Sequence, residues 1–201
     1  MIVFGNSLAK GTKDNVEIHI PKQYNFSTDL LFHGYNVGVI SCEIAKKLGL
    51  ENHRDMILMG VLHDIGKSKI TSDILFKPTQ LTSFEFEKMK KHAIYSEELI
   101  LHTMEDTKSN RYYAKVIRHH HENWNGTGYP DRLEKEEIPI ESRILAIADV
   151  FDAMIQPRVY RPYPVTKPIK IMEKEVGEKF SPELFKIAKP ILERWYKQKL
   201  N

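Results

Sequence analysis

The sequence predicts an all-α domain, a bundle of about seven helices behind a short N-terminal arm that is irregular or β. Three observations lead there. From Ser27 onward apolar residues recur at helical spacing, glycine, proline and capping residues fall between those runs, and a short alternating stretch, Val16-Glu17-Ile18-His19-Ile20, lies near the N-terminus.

Residues 1–26, with Gly5, Gly11 and Pro21, form the expected arm or linker, and residues 27–201 the domain. Leu30, Val37, Ile40, Ile44 and Leu48 mark the first helix, which Gly49 caps. Asn52 is the expected cap of a second helix. Met56, Ile57, Met59, Gly60, Val61 and Leu62 make it apolar nearly all round, hence buried, and it runs into His63-Asp64-Ile65-Gly66-Lys67. After a connection containing Pro78, Thr82 and Glu85 form a capping box that opens one helix through Phe84, Phe86, Met89, His92, Tyr95 and Leu99. Residues 106–110 loop, and a fourth helix from about Arg111 runs into His119-His120-His121-Glu122. The segment from Asn123 to Ile138, rich in glycine, proline and charge, is the kind of loop that covers a site. Gly126 and Gly128 suggest turns of positive φ there. Pro139 starts a helix whose apolar body, Ile144, Leu145, Ile147, Ala148, Val150 and Phe151, carries Asp149 and Asp152. A further helix ends near Gly177, and Ser181-Pro182 cap and open the last one, which Pro190 is expected to kink or interrupt.

Composition narrows the function. With 201 residues, 41% apolar and 28% charged, the chain is one globular domain. The net charge of +3 is mild and the basic residues are dispersed, which argues against DNA or RNA and suits an anionic small molecule. One cysteine, Cys42, allows no internal disulfide, and no signal-peptide pattern is present. No apolar run approaches the roughly 20 residues that cross a bilayer. A cytoplasmic location is the expectation.

The polar residues that helical periodicity places inside are His33, the His63-Asp64 pair, His92, His120-His121 and Asp149, spread over five predicted helices. A bundle core is where they can converge. Imidazoles mixed with carboxylates suit divalent iron, manganese, cobalt or zinc, and adjacent ligand pairs can face two neighbouring ions. Two metals held together point to phosphoester hydrolysis. Taken singly, His33 or His92 is what a satisfied core histidine looks like; the ordered set outweighs that.

That set, His33, His63-Asp64-Ile65-Gly66-Lys67, His92, His120-His121-Glu122, Gly126-Thr127-Gly128-Tyr129-Pro130 and Ala148-Asp149-Val150-Phe151-Asp152-Ala153, resembles the HD-GYP branch of the HD-domain phosphohydrolases. Lys77-Pro78 and Arg158-Val159-Tyr160-Arg161 extend the likeness, which covers about Ser27 to Ile191. The resemblance implies an HD-domain helical bundle with metal ligands at His33, His63, Asp64, His92, His120, His121 and Asp149. It places Lys67 near the scissile phosphate, Gly128, Tyr129 and Pro130 against the nucleotide, and Arg158 and Arg161 facing substrate phosphates. Some members hold a third metal with a glutamate four residues before the first histidine, where this chain has Asp29.

The implied activity is metal-dependent hydrolysis of cyclic di-GMP to pGpG, and with a third metal to GMP, by a metal-bridging hydroxide with Asp64 and Lys67 at the reacting centre. The implied cofactors are two or three divalent ions, iron or manganese. Another cyclic dinucleotide or nucleotide, or a non-catalytic cyclic di-GMP receptor, are the alternatives. A homodimer and signalling partner domains stay open. This chain departs from the family at Asn125, usually aspartate, and at Ile155-Gln156-Pro157, usually Thr-Ser-Asp; neither removes a ligand. His119 is expected at the surface or behind a ligand, His19, His53 and His102 exposed, and Asp152 orienting a ligand or bracing its helix. Trp124 and Tyr129 can stack guanine or anchor the loop.

Overall fold

The computed structural model describes residues 2–4, 10–12, 15–20, 28–156 and 164–200, with side chains from Leu30 to Lys199. The arm takes the β alternative. Strands β1 (Ile2–Phe4), β2 (Lys10–Thr12) and β3 (Asn15–Ile20) form a sheet of order β1-β3-β2. Ile2 pairs in parallel with Ile18, and Lys10 pairs antiparallel with Glu17.

Nine α-helices follow among the described residues. They are α1 (Thr28–Lys47), α2 (Asp55–Leu62), α3 (Ser72–Leu75), α4 (Ser83–Lys90), α5 (His92–Thr103), α6 (Lys108–Arg118), α7 (Ile140–Ile155), α8 (Pro168–Glu173) and α9 (Pro182–Leu200). The excess over seven has two sources. A single turn, α3, was not expected, and the helix opened by the Thr82–Glu85 capping box ends at Lys90, with Lys91 as its C-cap, instead of continuing through His92. The break has a cause in hydrogen bonding: His92 Nδ1 donates to the Met89 carbonyl at 2.7 Å. A side chain thus takes an acceptor that a continuous helix would give to the backbone.

Three other boundaries differ from expectation. Asn52 does not cap α2 with its side chain; its backbone carbonyl accepts the Asp55 N–H at 3.0 Å in a preceding turn. Helix α6 begins three residues early because Thr107 Oγ1 accepts the Asn110 N–H, and it stops at Arg118, leaving His120 and His121 in the turn beyond it. Helix α9 runs uninterrupted through Pro190. By contrast Gly49 ends α1 as foreseen, with its own N–H on Lys46 and that of Leu50 on Ala45.

Helix α1 packs on α2, α7 and α9, and α5 packs on α6. The apolar core joins Ile40 and Ile44 of α1, Met56 and Leu62 of α2, Ile117 of α6, Phe151 of α7 and Leu184 of α9. Each such side chain contributes about 1.5–3 kcal/mol by leaving water. The α1/α2 crossing is closer than ordinary side chains allow. A Cβ on Gly60 would lie 2.3 Å from the Gly38 Cα, so two glycines bring the backbones together just below His33 and His63.

Candidate metal centre

Helix α2 ends at Leu62, and His63 and Asp64 occupy the turn between it and the 3-10 turn Ile65–Lys69. Ser96 of α5 fixes that turn. Its buried hydroxyl accepts the Gly66 N–H at 2.8 Å and donates to the His63 carbonyl at 2.9 Å. Nothing in the sequence pattern singles out Ser96 beyond a serine on an apolar helix face.

Three histidines share one arrangement. His63, His92 and His120 each direct Nδ1 at the backbone carbonyl three residues earlier, on Gly60, Met89 and Ile117, at 2.6, 2.7 and 2.6 Å. A carbonyl only accepts, so Nδ1 carries the proton and Nε2 presents its lone pair to the interior. His33 is held otherwise, with Nδ1 on Asp152 Oδ2 at 2.7 Å and Nε2 on Asp149 Oδ1 at 3.0 Å. Asp152 therefore orients His33, as expected, and Asn36 donates to its other oxygen at 3.1 Å.

These side chains converge in two groups. One gathers His33, His63 and Asp64, with ligand atoms within 4.8 Å of one another; the other gathers Asp64, His92, His120 and His121 on the same criterion. Asp149 joins the first, its Oδ1 lying 3.9 Å from His63 Nε2. Asp64 belongs to both through different oxygens. Its Oδ2 lies 3.2 Å from His63 Nε2 and its Oδ1 3.3 Å from His92 Nε2. His92 Nε2 in turn lies 3.5 Å from that of His120 and 3.2 Å from that of His121. All seven ligand candidates named from the sequence, apart from Asp29, thus meet at one place.

The donor set fits divalent metal. His63 Nε2 and Asp64 Oδ1 are buried and make no hydrogen bond, a costly arrangement for atoms that serve only the fold. Burial first, then Lys67, pushes His92 down to about 4; burial first, then neighbouring imidazoles, pushes His120 to about 3 and holds His121 well below the usual imidazole range. They are neutral, as ligands must be. Burial opposes ionisation of Asp64, yet His63 and Lys67 outweigh it and keep the carboxyl well below its ordinary range. For Asp149 burial is likewise outweighed, by His33. His33 is also penalised for charge by burial, but Asp149 and Asp152 raise it to about 9. The described residues therefore contain histidine and aspartate clusters able to hold metal ions.

Lys67 sits at the rim, its Nζ 2.5 Å from Asp64 Oδ2. Tyr129 lays its ring against His121, centroids 4.8 Å apart, and its N–H donates to the His121 carbonyl at 3.2 Å. Gly128 does not adopt positive φ. It is required for space, because a Cβ there would lie 2.3 Å from the Asn123 nitrogen; positive φ falls on Gly126. Trp124 acts as a loop anchor, with its N–H on the Lys179 carbonyl and Arg143 over its ring.

Glu122 pins the far end of the loop. Its Oε1 accepts the N–H groups of Asp131 and Arg132 at 2.7 and 3.0 Å. Asp131 is clasped by Arg118, at 2.7 and 2.8 Å, and by His119 Nε2 at 2.8 Å. His119 is therefore not a surface residue; it is 6% exposed, because its ring closes this loop contact. His53 is half-buried, with Nδ1 on the Leu50 carbonyl, while His102 is exposed as expected. Asp29 lies in the first turn of α1, four residues before His33, and its side chain is outside the described residues, as are Arg158 and Arg161. His19 belongs to β3, and its side chain is also outside them.

Among the described residues no helix is long and apolar enough to cross a membrane. A model of the HD domain matches residues 23–184. The chain is 35% identical over 174 residues to a cyclic di-GMP phosphodiesterase of Thermotoga maritima, covering 83% of this chain and 47% of that protein. It is 36% identical over 170 residues to the 3'3'-cGAMP-specific phosphodiesterase 2 of Vibrio cholerae, covering 81% of this chain and 31% of that one. The chain thus spans less than half the length of these curated relatives. Among solved structures, the HDG"Y"P protein Bd1817 of Bdellovibrio bacteriovorus superposes with a TM-score of 0.63 at 22% identity, over 82% of this chain and 52% of that one, a likeness of fold. The chain belongs to the HD-domain family.

Proposed function

We propose that this chain is a metal-dependent phosphodiesterase that hydrolyses a cyclic dinucleotide, cyclic di-GMP first among them. The observation that carries the reading is Asp64, whose two oxygens face two separate histidine groups. His33, His63, Asp64, His92, His120, His121 and Asp149 are the proposed ligands of two divalent ions, iron or manganese. A third ion would rest on Asp29. Such ions supply Lewis-acid polarisation of a phosphoryl oxygen and a nucleophilic water at neutral pH.

The chain's own residues do the rest. Asp152 and the carbonyls of Gly60, Met89 and Ile117 fix the imidazoles so that little reorganisation accompanies binding. Lys67 Nζ, at the rim, binds a non-bridging oxygen of the scissile phosphate and stabilises the charge that builds there. Gly128, Tyr129 and Pro130 wall the nucleotide, and Arg158 and Arg161 neutralise substrate phosphates. In the reaction a water oxygen bonds to phosphorus, the P–O3′ bond breaks and the 3′ oxygen takes a proton, giving linear pGpG. Further hydrolysis gives GMP. Residues 27–201 are assigned to this catalytic domain and residues 1–26 to an arm. A cytoplasmic setting suits a nucleotide messenger as substrate.

A second substrate is worth equal trial, 3'3'-cGAMP, because relatives of similar identity carry cyclic di-GMP and 3'3'-cGAMP in their names. The experiment is incubation of anoxically purified protein with Fe²⁺ or Mn²⁺ and each dinucleotide, followed by chromatography beside a His63→Ala control. Metal-dependent linear product, lost in the control, is the expected result. Full metal occupancy without turnover of either dinucleotide would turn the assignment toward another phosphoester or a receptor.

A further inference from the structure

A cleft of about 550 Å³ opens beside the metal centre, between the α4/α5 junction and the loop that carries Tyr129. Its volume lies in the range of small-molecule sites and is larger than one phosphate needs. Lys90, Lys91 and Arg132 line it, against the single carboxylate of Glu87. These three cations have no part in the site described so far.

They are not equivalent. Lys90 is occupied: its Nζ pairs with Glu87 at 2.6 Å and lies over the rings of Phe86 and Tyr129. Lys91 and Arg132 are exposed, and no acidic group among the described residues comes within ion-pair distance of either. Arg132 is also held in an unusual backbone state, φ 57°, with its N–H on the buried Glu122 carboxylate. The one acid beside it in sequence, Asp131, is neutralised by Arg118 and His119. The loop thus offers a cation on a fixed backbone, and its neighbouring anion is already paired. Lys91 stands at the break between α4 and α5, its backbone N–H on the Lys88 carbonyl and its neighbour His92 on the Met89 carbonyl. The Tyr129 ring forms the wall between the two regions, His121 against it on the metal side and Lys90 on the cleft side.

We propose that this cleft seats the half of a cyclic dinucleotide that does not react, with Lys91 and Arg132 gripping its intact phosphate. The inference rests on the phosphodiesterase reading and adds specificity-determining residues to it. A substrate with a single phosphodiester would gain nothing from the cleft, whereas a two-phosphate ring would be held at both ends. Lys91 and Arg132 would then favour cyclic dinucleotides over simple diesters by charge-assisted hydrogen bonds to the second phosphate.

The test compares cyclic di-GMP with bis(p-nitrophenyl) phosphate, a lone diester, on the Mn²⁺-loaded full chain. The variants are Lys91→Gln and Arg132→Asn, the latter chosen because asparagine tolerates positive φ. The ratio of kcat/KM for cyclic di-GMP to that for the lone diester should fall about tenfold in each variant, mainly through KM for the dinucleotide. Added salt should narrow the gap to the parent. Lys186→Ala, an exposed charge on α9, controls for net charge and should keep the parent ratio. An unchanged ratio in Lys91→Gln and Arg132→Asn, in a chain that does cleave cyclic di-GMP, would overturn the cleft assignment alone. Turnover of the lone diester with none of any cyclic dinucleotide would overturn the cyclic-dinucleotide reading of the proposed function and this inference with it.

Discussion

His33 Nδ1 donates to Asp152 Oδ2 across 2.7 Å and so ties α1 to α7 inside the bundle. Asp152 also accepts from Asn36 and Gln156, so it is the fixed point of a small network. A carboxylate behind a ligating imidazole sets its tautomer and orientation. Asp152→Ala should therefore lower metal affinity by roughly 10- to 100-fold while leaving helical content intact. Competition with a chromogenic chelator, beside circular dichroism, measures both. Unaltered affinity would show that Asp152 only braces the helix.

Ser96→Ala removes both partners of the turn that carries His63 and Asp64. The Gly66 N–H and the His63 carbonyl would be left buried without that hydroxyl, at a cost of about 1–3 kcal/mol. Urea unfolding should show a lower midpoint with an unchanged slope.

Gly60→Ala puts a methyl 2.3 Å from the Gly38 backbone. Backbone cannot swing aside as a flexible side chain can, so α1 must move away from α2. The expected loss is about 1–3 kcal/mol or more. Metal binding should weaken too, since His33 and His63 stand on either side of that crossing.

Asp131 gives a pH signature. Arg118 and His119, against a smaller effect of burial, hold its carboxyl down at about 2, from 3.8. A depressed folded value means that this contribution is fully present above about 3.8 and is lost as pH falls through about 2. Because the carboxylate is more than a third exposed, solvent screening reduces the effect to about 1 kcal/mol. The difference in unfolding free energy between parent and Asp131→Asn should be constant above about pH 4 and shrink toward pH 2. A difference that grows on acidification would contradict this account.

Helical period and the ordered His and Asp motifs made the bundle and its ligand candidates legible, because burial periodicity and side-chain chemistry are written residue by residue. What they could not show is that His63, Asp64, His120 and His121 leave their helices and sit in the turns beyond. Periodicity reports which face is buried. It does not report a side chain that competes for a backbone carbonyl, as His92 does at Met89. Ser96 and Asn36 escaped notice for a related reason: each matters through a partner at least 30 residues away, Gly66 and Asp152 respectively. The burial of His119, which excludes its surface alternative, was not legible because it depends on a loop contact with Asp131 that no local pattern encodes.

The central claim is that Asp64 is shared by two metal positions. Metal analysis of the anoxically loaded parent and of Asp64→Ala, after removal of free ions, tests it most directly. At least two ions per chain in the parent, with both positions depleted and turnover abolished in Asp64→Ala, is the predicted result. An Asp64→Ala protein that keeps its full metal complement and its metal-dependent activity would contradict the account.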